Sequence, residues 1–185
     1  MTNIRVRFAL ATALIMVALV AIPQARAMTH HLLRAVGVER AQRQLRTGDA
    51  LVPLKLYSLN GDRVAVSNDG RPQIINVFAT WCTECKAETP ALAQAAAALR
   101  SSGVQLIGID QAESEPVVTQ FAQSNGLRYP IYLDRDGSVT HAILGARFIP
   151  TTIVVDKRGI IRFEHIGPLT RADFAALAEA VRNAG

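Results

Sequence analysis

Cysteine is almost missing from this 185-residue chain: there are two, at positions 82 and 85, beside the only tryptophan, Trp81. Two thiols cannot build a disulfide framework, and a bond spanning three residues closes too small a loop to remove much unfolded-chain entropy. A second CxxC and any HxxxH pair are also missing, so a four-ligand zinc site would lack half its donors. Aromatic residues are only 5% of the chain, and neither an aromatic–basic platform nor a glycine-rich phosphate loop occurs. Both absences argue against nucleic acid as a partner. The net charge of +5 is partly terminal: residues 1–27 hold Arg5, Arg7 and Arg26 and no acid, so the remainder carries +2.

The N-terminal apolar run, Phe8 to Ile22, stops at 15 residues, short of the roughly 20 that a membrane-spanning helix needs. With a basic segment before it and Ala25-Arg26-Ala27 after it, residues 1–27 read as a signal peptide cleaved near Ala27. An uncleaved anchor is the alternative. Either places the protein in the periplasm, soluble in the first case and held to the inner membrane in the second.

Residues 28–49 form an N-terminal extension in which 29–46 read as a helix. Leu32, Leu33, Val36, Ala41 and Leu45 make its apolar stripe, and Arg34, Arg40, Arg43 and Arg46 lie mostly elsewhere around the turn. That basic face is either solvated or a surface for headgroups or a partner. Strands are expected at 54–59 and 63–67 around Asn60-Gly61, then at 74–79, 104–109, 131–133, 152–155 and 160–165. Helices are expected at 84–100, at 115–124 with Ser114 as cap, at 138–144, and at 171–183 capped by Thr170 with Asp173. The pattern is one α/β domain over 50–185, uninterrupted by any linker, repeat or low-complexity tract.

Cys82 falls where strand 74–79 hands over to the next helix. Unpaired N–H groups and the positive end of the helix dipole stabilise a thiolate there. Three residues are nearly one turn, so Cys85 lies beside Cys82 on the same face. The pair reads as one reversible dithiol, with Cys82 the exposed, attacking sulfur and Cys85 the buried, resolving one. Glu84 places a carboxylate beside the thiolate, expected at roughly 6 Å in near-bulk solvent, where repulsion stays below about 1 kcal/mol. Its sign favours a more reducing couple.

Residues 78–90, Phe-Ala-Thr-Trp-Cys-Thr-Glu-Cys-Lys-Ala-Glu-Thr-Pro, resemble the active-site segment of thioredoxin-fold proteins, and more narrowly of exported TlpA/ResA-like thiol-disulfide oxidoreductases. A second match is Gly145-Ala146-Arg147-Phe148-Ile149-Pro150-Thr151-Thr152, followed by Val154-Val155-Asp156-Lys157-Arg158-Gly159. The resemblance covers about 50–184 and implies a thioredoxin-like α/β fold. It would have a central mixed sheet flanked by helices, an N-terminal β-hairpin and an additional N-terminal helix. It also implies that Pro150 is a cis-proline facing the dithiol, that Ile149 offers its backbone edge to an extended substrate, and that Trp81 flanks the sulfur. Glu88, one turn beyond Cys85, would exchange a proton with the buried thiol. Asn76 stands where cytoplasmic thioredoxins carry a buried aspartate, which makes Glu88 the expected proton acceptor.

The expected function is reduction of protein disulfides without a bound cofactor or metal, recharged by a membrane thiol reductase. By the resemblance, substrates include apocytochrome c thiols in cytochrome c biogenesis and metallochaperone cysteines. Two alternatives use the same thiols: a copper chaperone recruiting His141 or His165, and a thiol peroxidase.

Overall fold

A computed structural model describes residues 44–183. The expected signal segment and most of the expected helix 29–46 lie outside the described residues. The described end of that helix departs from expectation: Gln44–Arg46 are not helical, and Thr47-Gly48 is a turn with Gly48 at φ +94°. Tertiary pairing replaces the helix here. The Leu45 N–H donates to the Ile143 carbonyl (2.7 Å), and Gly48 and Leu51 donate to Ile161 and Gly159 (2.8 Å each). Leu45 itself packs on the core.

Seven strands follow: β1 Leu54–Ser58, β2 Arg63–Val66, β3 Gln73–Phe78, β4 Gln105–Gln111, β5 Ile131–Asp134, β6 Thr151–Val155 and β7 Ile161–Ile166. Their order is β2-β1-β5-β4-β3-β6-β7 in one mixed sheet. β3, β4 and β5 run parallel, while the β1–β2 hairpin joins the sheet antiparallel to β5. β6 pairs antiparallel with β3, and β7 with β6. Every residue of β3 is buried, as the Ile74-Ile75-Asn76-Val77-Phe78 run, apolar but for Asn76, suggests for a strand covered on both faces. Alternation divides it. Ile75 and Val77 join Leu54, Leu56, Ile107 and Ile153 in one cluster, while Ile74 joins Leu92, Leu99 and Phe174 in another.

The helices are α1 Thr83–Ser101, α2 Glu115–Ser124 and α3 Arg171–Asn183. α3 has a reciprocal cap: Asp173 accepts from the Thr170 N–H and hydroxyl (2.7 Å each), and Thr170 Oγ1 accepts from the Asp173 N–H. α2 does not follow the expectation fully. Ser114 holds the cap position, but its hydroxyl makes no capping bond. The expected helix 138–144 is a single π-helical turn, Val139–Ile143, shaped by Asp134, whose Oδ2 accepts the Thr140 N–H (2.7 Å) and hydroxyl (2.8 Å).

Asp156 explains the Asp-x-x-Gly turn between β6 and β7. Its wholly buried carboxylate accepts from the N–H groups of Arg158 and Ile160 (2.9 Å each) and from Arg162 Nε (2.7 Å). Burial opposes ionisation, but these donors outweigh it and hold the carboxyl below its usual range. With Gly159 at φ +80°, they fix where β7 begins, and β7 ends beside Pro150 through the Gly167 N–H to Pro150 O bond (2.9 Å).

Candidate active site

β3 ends at Phe78, and four residues later the chain enters α1 through Cys82. Cys82 is the N-cap of α1, with φ −73° and ψ 124°. Its Sγ accepts the Cys85 N–H (3.1 Å), and its carbonyl accepts the Lys86 N–H (3.1 Å). A sulfur thus takes the capping role usually filled by oxygen, on the positive end of a 19-residue helix. Cys82 and Cys85 form a disulfide, their Cα atoms 5.2 Å apart.

Both sulfurs sit in an apolar shell with Phe78, Ala79, Val118 and Ala122. The expected exposure of Cys82 does not hold in this oxidised form: Cys82 is 4% exposed and Cys85 2%. Packing against Ile149 and the cap geometry hold Cys82 in. Glu84 also differs from expectation, because its Oε2 lies 3.9 Å from Cys82 Sγ and not at roughly 6 Å. The first helical turn curls the carboxylate back over the cap. Glu84 remains exposed to solvent, so water screens it.

The Ile149–Pro150 peptide is cis. It places the Ile149 carbonyl 3.7 Å from Cys82 Sγ, while Pro150 is buried at the start of β6. Trp81 and Phe148 are exposed, at 65% and 67%. Trp81 lies next to Cys82 in sequence and Phe148 next to Ile149. Sequence reasoning missed Phe148. Its signal was a large apolar residue two positions before the matched proline.

Glu88 is 2% exposed, one helical turn past Cys85. Its Oε1 accepts the Leu169 N–H (3.1 Å), and its Oε2 accepts Asn76 Nδ2 (3.2 Å). Burial raises its pKa to about 7 against the lowering effect of these two donors. A carboxyl that titrates near neutrality therefore stands one turn from the buried sulfur. Asn76 also lies 3.4 Å from Thr152 Oγ1, and its Oδ1 has no hydrogen-bond partner.

Three residues near the site were not foreseen. Glu113 accepts Thr80's N–H and its hydroxyl (2.6 Å for the hydroxyl). Glu113's own N–H donates to Asp110 Oδ1 (3.0 Å). Between them Ala112 adopts φ +65°, a left-handed conformation that costs a non-glycine residue about 1–3 kcal/mol. The available signal was an acid one residue before the end of a buried strand with a second acid three positions later.

The histidines considered as copper ligands lie in other contacts. His141 Nδ1 is 3.0 Å from the Gly137 carbonyl and its Nε2 is 3.0 Å from Gln111 Nε2, while His165 stacks on Phe163. Among the described residues no three His, Cys, Asp or Glu side chains cluster to hold a metal.

A CxxC disulfide capping the helix that follows a central strand, faced by a cis-proline loop, defines a thioredoxin-fold dithiol–disulfide exchange protein. The chain belongs to the AhpC/TSA family, whose model matches residues 47–164. It is 29% identical over 138 residues to the thiol-disulfide oxidoreductase ResA of Halalkalibacterium halodurans, covering 74% of this chain and 78% of that one. It is 31% identical over 135 residues to the thiol:disulfide interchange protein DsbE of Vibrio cholerae, covering 73% and 68%. Matches to other ResA proteins span 64–65% of their lengths. A thioredoxin-family thiol:disulfide interchange protein of Chlorobium tepidum shares the fold, with a TM-score of 0.61 and 26% identity over 75% of this chain and 99% of that one. Fold, site and relatives make the protein a thiol-disulfide oxidoreductase acting on protein disulfides.

Proposed function

We propose that the protein works as an exported reductase, with Cys82 attacking and Cys85 resolving. The observation that carries this reading is the cap geometry. Cys82 Sγ sits on the Cys85 N–H with the Ile149 carbonyl at 3.7 Å and Glu84 at 3.9 Å. In the dithiol state the same N–H and helix dipole favour a thiolate at Cys82. That thiolate breaks a substrate S–S bond, forms a Cys82 mixed disulfide, and expels the first substrate thiolate. Cys85, deprotonated by Glu88, then attacks Cys82 Sγ and releases the second substrate thiolate. The substrate gains two electrons and the protein returns to the disulfide.

Ile149 and Trp81 would hold the substrate segment, the first by its backbone edge and the second by its exposed ring. Pro150 keeps an N–H away from the sulfur. Glu84's charge opposes the thiolate and so opposes the reduced form, which favours net donation of electrons. The donor would be a membrane thiol reductase, and the substrates disulfides of apocytochrome c or of metallochaperones. Export rests on the pattern of residues 1–27. Among the described residues no helix is long and apolar enough to cross a membrane.

The test is equilibration against glutathione, read by alkylation. The expected midpoint lies below roughly −250 mV, and a value near −120 mV, typical of strong oxidants, would reverse the assigned direction.

A further inference from the structure

Thr80 lies midway along the turn that carries the chain from β3 to the nucleophile, and both of its polar groups end on one side chain, Glu113. Nothing in the exchange chemistry requires that residue. Yet the fold takes trouble to aim it: Ala112 is turned to φ +65°, and Asp110 Oδ1 receives the Glu113 N–H at 3.0 Å. Asp110 is wholly buried, and its Oδ2 has no hydrogen-bond partner. We propose that Glu113 is a positioning residue for Cys82, clamping the Ala79–Cys82 turn through Thr80 and setting the local charge against which the Cys82 thiolate forms.

Beyond the burial of Ala79 and Cys82 in the apolar shell, the turn has few polar restraints. Cys82 N–H donates to the Ala79 carbonyl (3.2 Å), which closes the turn but does not fix its tilt against β4. The Trp81 side chain points largely into solvent. Glu113 supplies the missing brace because β3 and β4 are in parallel register, with Phe78 opposite Asp110. The segments that continue from the two strands therefore meet just beyond that pair. Burial chiefly, then Glu113 and more weakly Asp134, push Asp110 up to about 8. Burial thus favours the neutral form of Asp110, which weakens its repulsion of Glu113. Asp134, the other acid facing it, is occupied by Thr140.

This inference rests on the exchange reading, and its test separates the two. Reduced full-length protein is alkylated with iodoacetamide across pH, and insulin reduction is followed for kcat and KM. Glu113→Ala is expected to lower kcat about 10-fold with KM nearly unchanged, because a slackened turn misplaces the sulfur. Glu113→Gln keeps an acceptor for the Thr80 N–H and should recover most of kcat. By removing a carboxylate it should also move the Cys82 alkylation midpoint down by about 0.3–0.5 pH unit. If Glu113→Ala melts earlier while kcat and the alkylation curve overlay the wild type, Glu113 is only a structural brace and the proposal is wrong. Should Glu113→Ala not fold, Glu113→Gln decides: an unshifted alkylation curve overturns the proposal, and a downward shift supports it. A wild-type chain inert toward insulin would sink the exchange reading itself, while its alkylation curve would still report on the turn.

Discussion

Serine at position 85 will leave Cys82 joined to its substrates. The Cys85→Ser protein keeps the capping N–H that the Cys82 sulfur receives, so the nucleophile survives, but nothing then expels the bound thiol. Turnover is expected to fall by at least about 10³-fold, with mixed disulfides visible on non-reducing gels and lost on reduction. Cys82→Ser should abolish turnover equally and give no adducts. The asymmetry follows from position. Cys82 is at the mouth of the helix, between exposed Trp81 and the Ile149 carbonyl, whereas Cys85 lies one turn further along it; in the disulfide form both are buried, at 4% and 2%, so position and not exposure separates them. Adducts forming through Cys85 in the Cys82→Ser protein would interchange the two roles. The same trap, applied in the native envelope, names the substrates and the electron donor.

Glu88→Gln will change how exchange depends on pH. In the wild type the resolving step should accelerate as pH rises through about 7, where Glu88 loses its proton and can take that of Cys85. Without the carboxyl that inflection should vanish, and resolution at pH 7 should slow about 10–100-fold. Stability carries a matching sign. The folded-state pKa is raised above the unfolded value of 4.5, so between pH 4.5 and 7 the folded protein binds the proton that the unfolded chain has released. Stability must fall across that window and level off above it, by at most about 3–4 kcal/mol. The glutamine variant should lack this slope in urea titrations. The fold should be kept, because glutamine has the same shape and retains an oxygen for the Leu169 N–H. Resolution rates that still inflect near pH 7 would take Glu88 out of the proton transfer.

How far the sequence could be read depended on the range of the interaction. Helix ends came out within a residue or two, because capping and glycine signals are local: Gly103 at φ +77° and the Thr170–Asp173 box stop and start helices where their chemistry says. The doubly buried β3 was legible from its Ile74–Phe78 run, apolar at every position but Asn76. Failures came where distant chain segments meet. The apolar stripe through Leu45 suggested a helix, yet pairing of Leu45 with Ile143, and of Gly48 and Asp49 with Ile161 at the start of β7, wins there. Asp134 turns 138–144 into a π turn through a bond six residues away. The dithiol was plain from spacing alone, while the cis form of Pro150 was accessible only through family resemblance, since few X–Pro bonds adopt it. Glu113 stands 33 residues from Thr80. No window around the cysteines contains it, and only the parallel register of β3 and β4 brings the two together.

The bond from the Leu169 amide to Glu88 Oε1 ties the approach to the final helix to the acid beside the resolving thiol. That backbone nitrogen is consequently a resident probe of the site. In a ¹⁵N-labelled sample its resonance should titrate near neutrality with no substrate present, following the acid from a position 81 residues further along the chain.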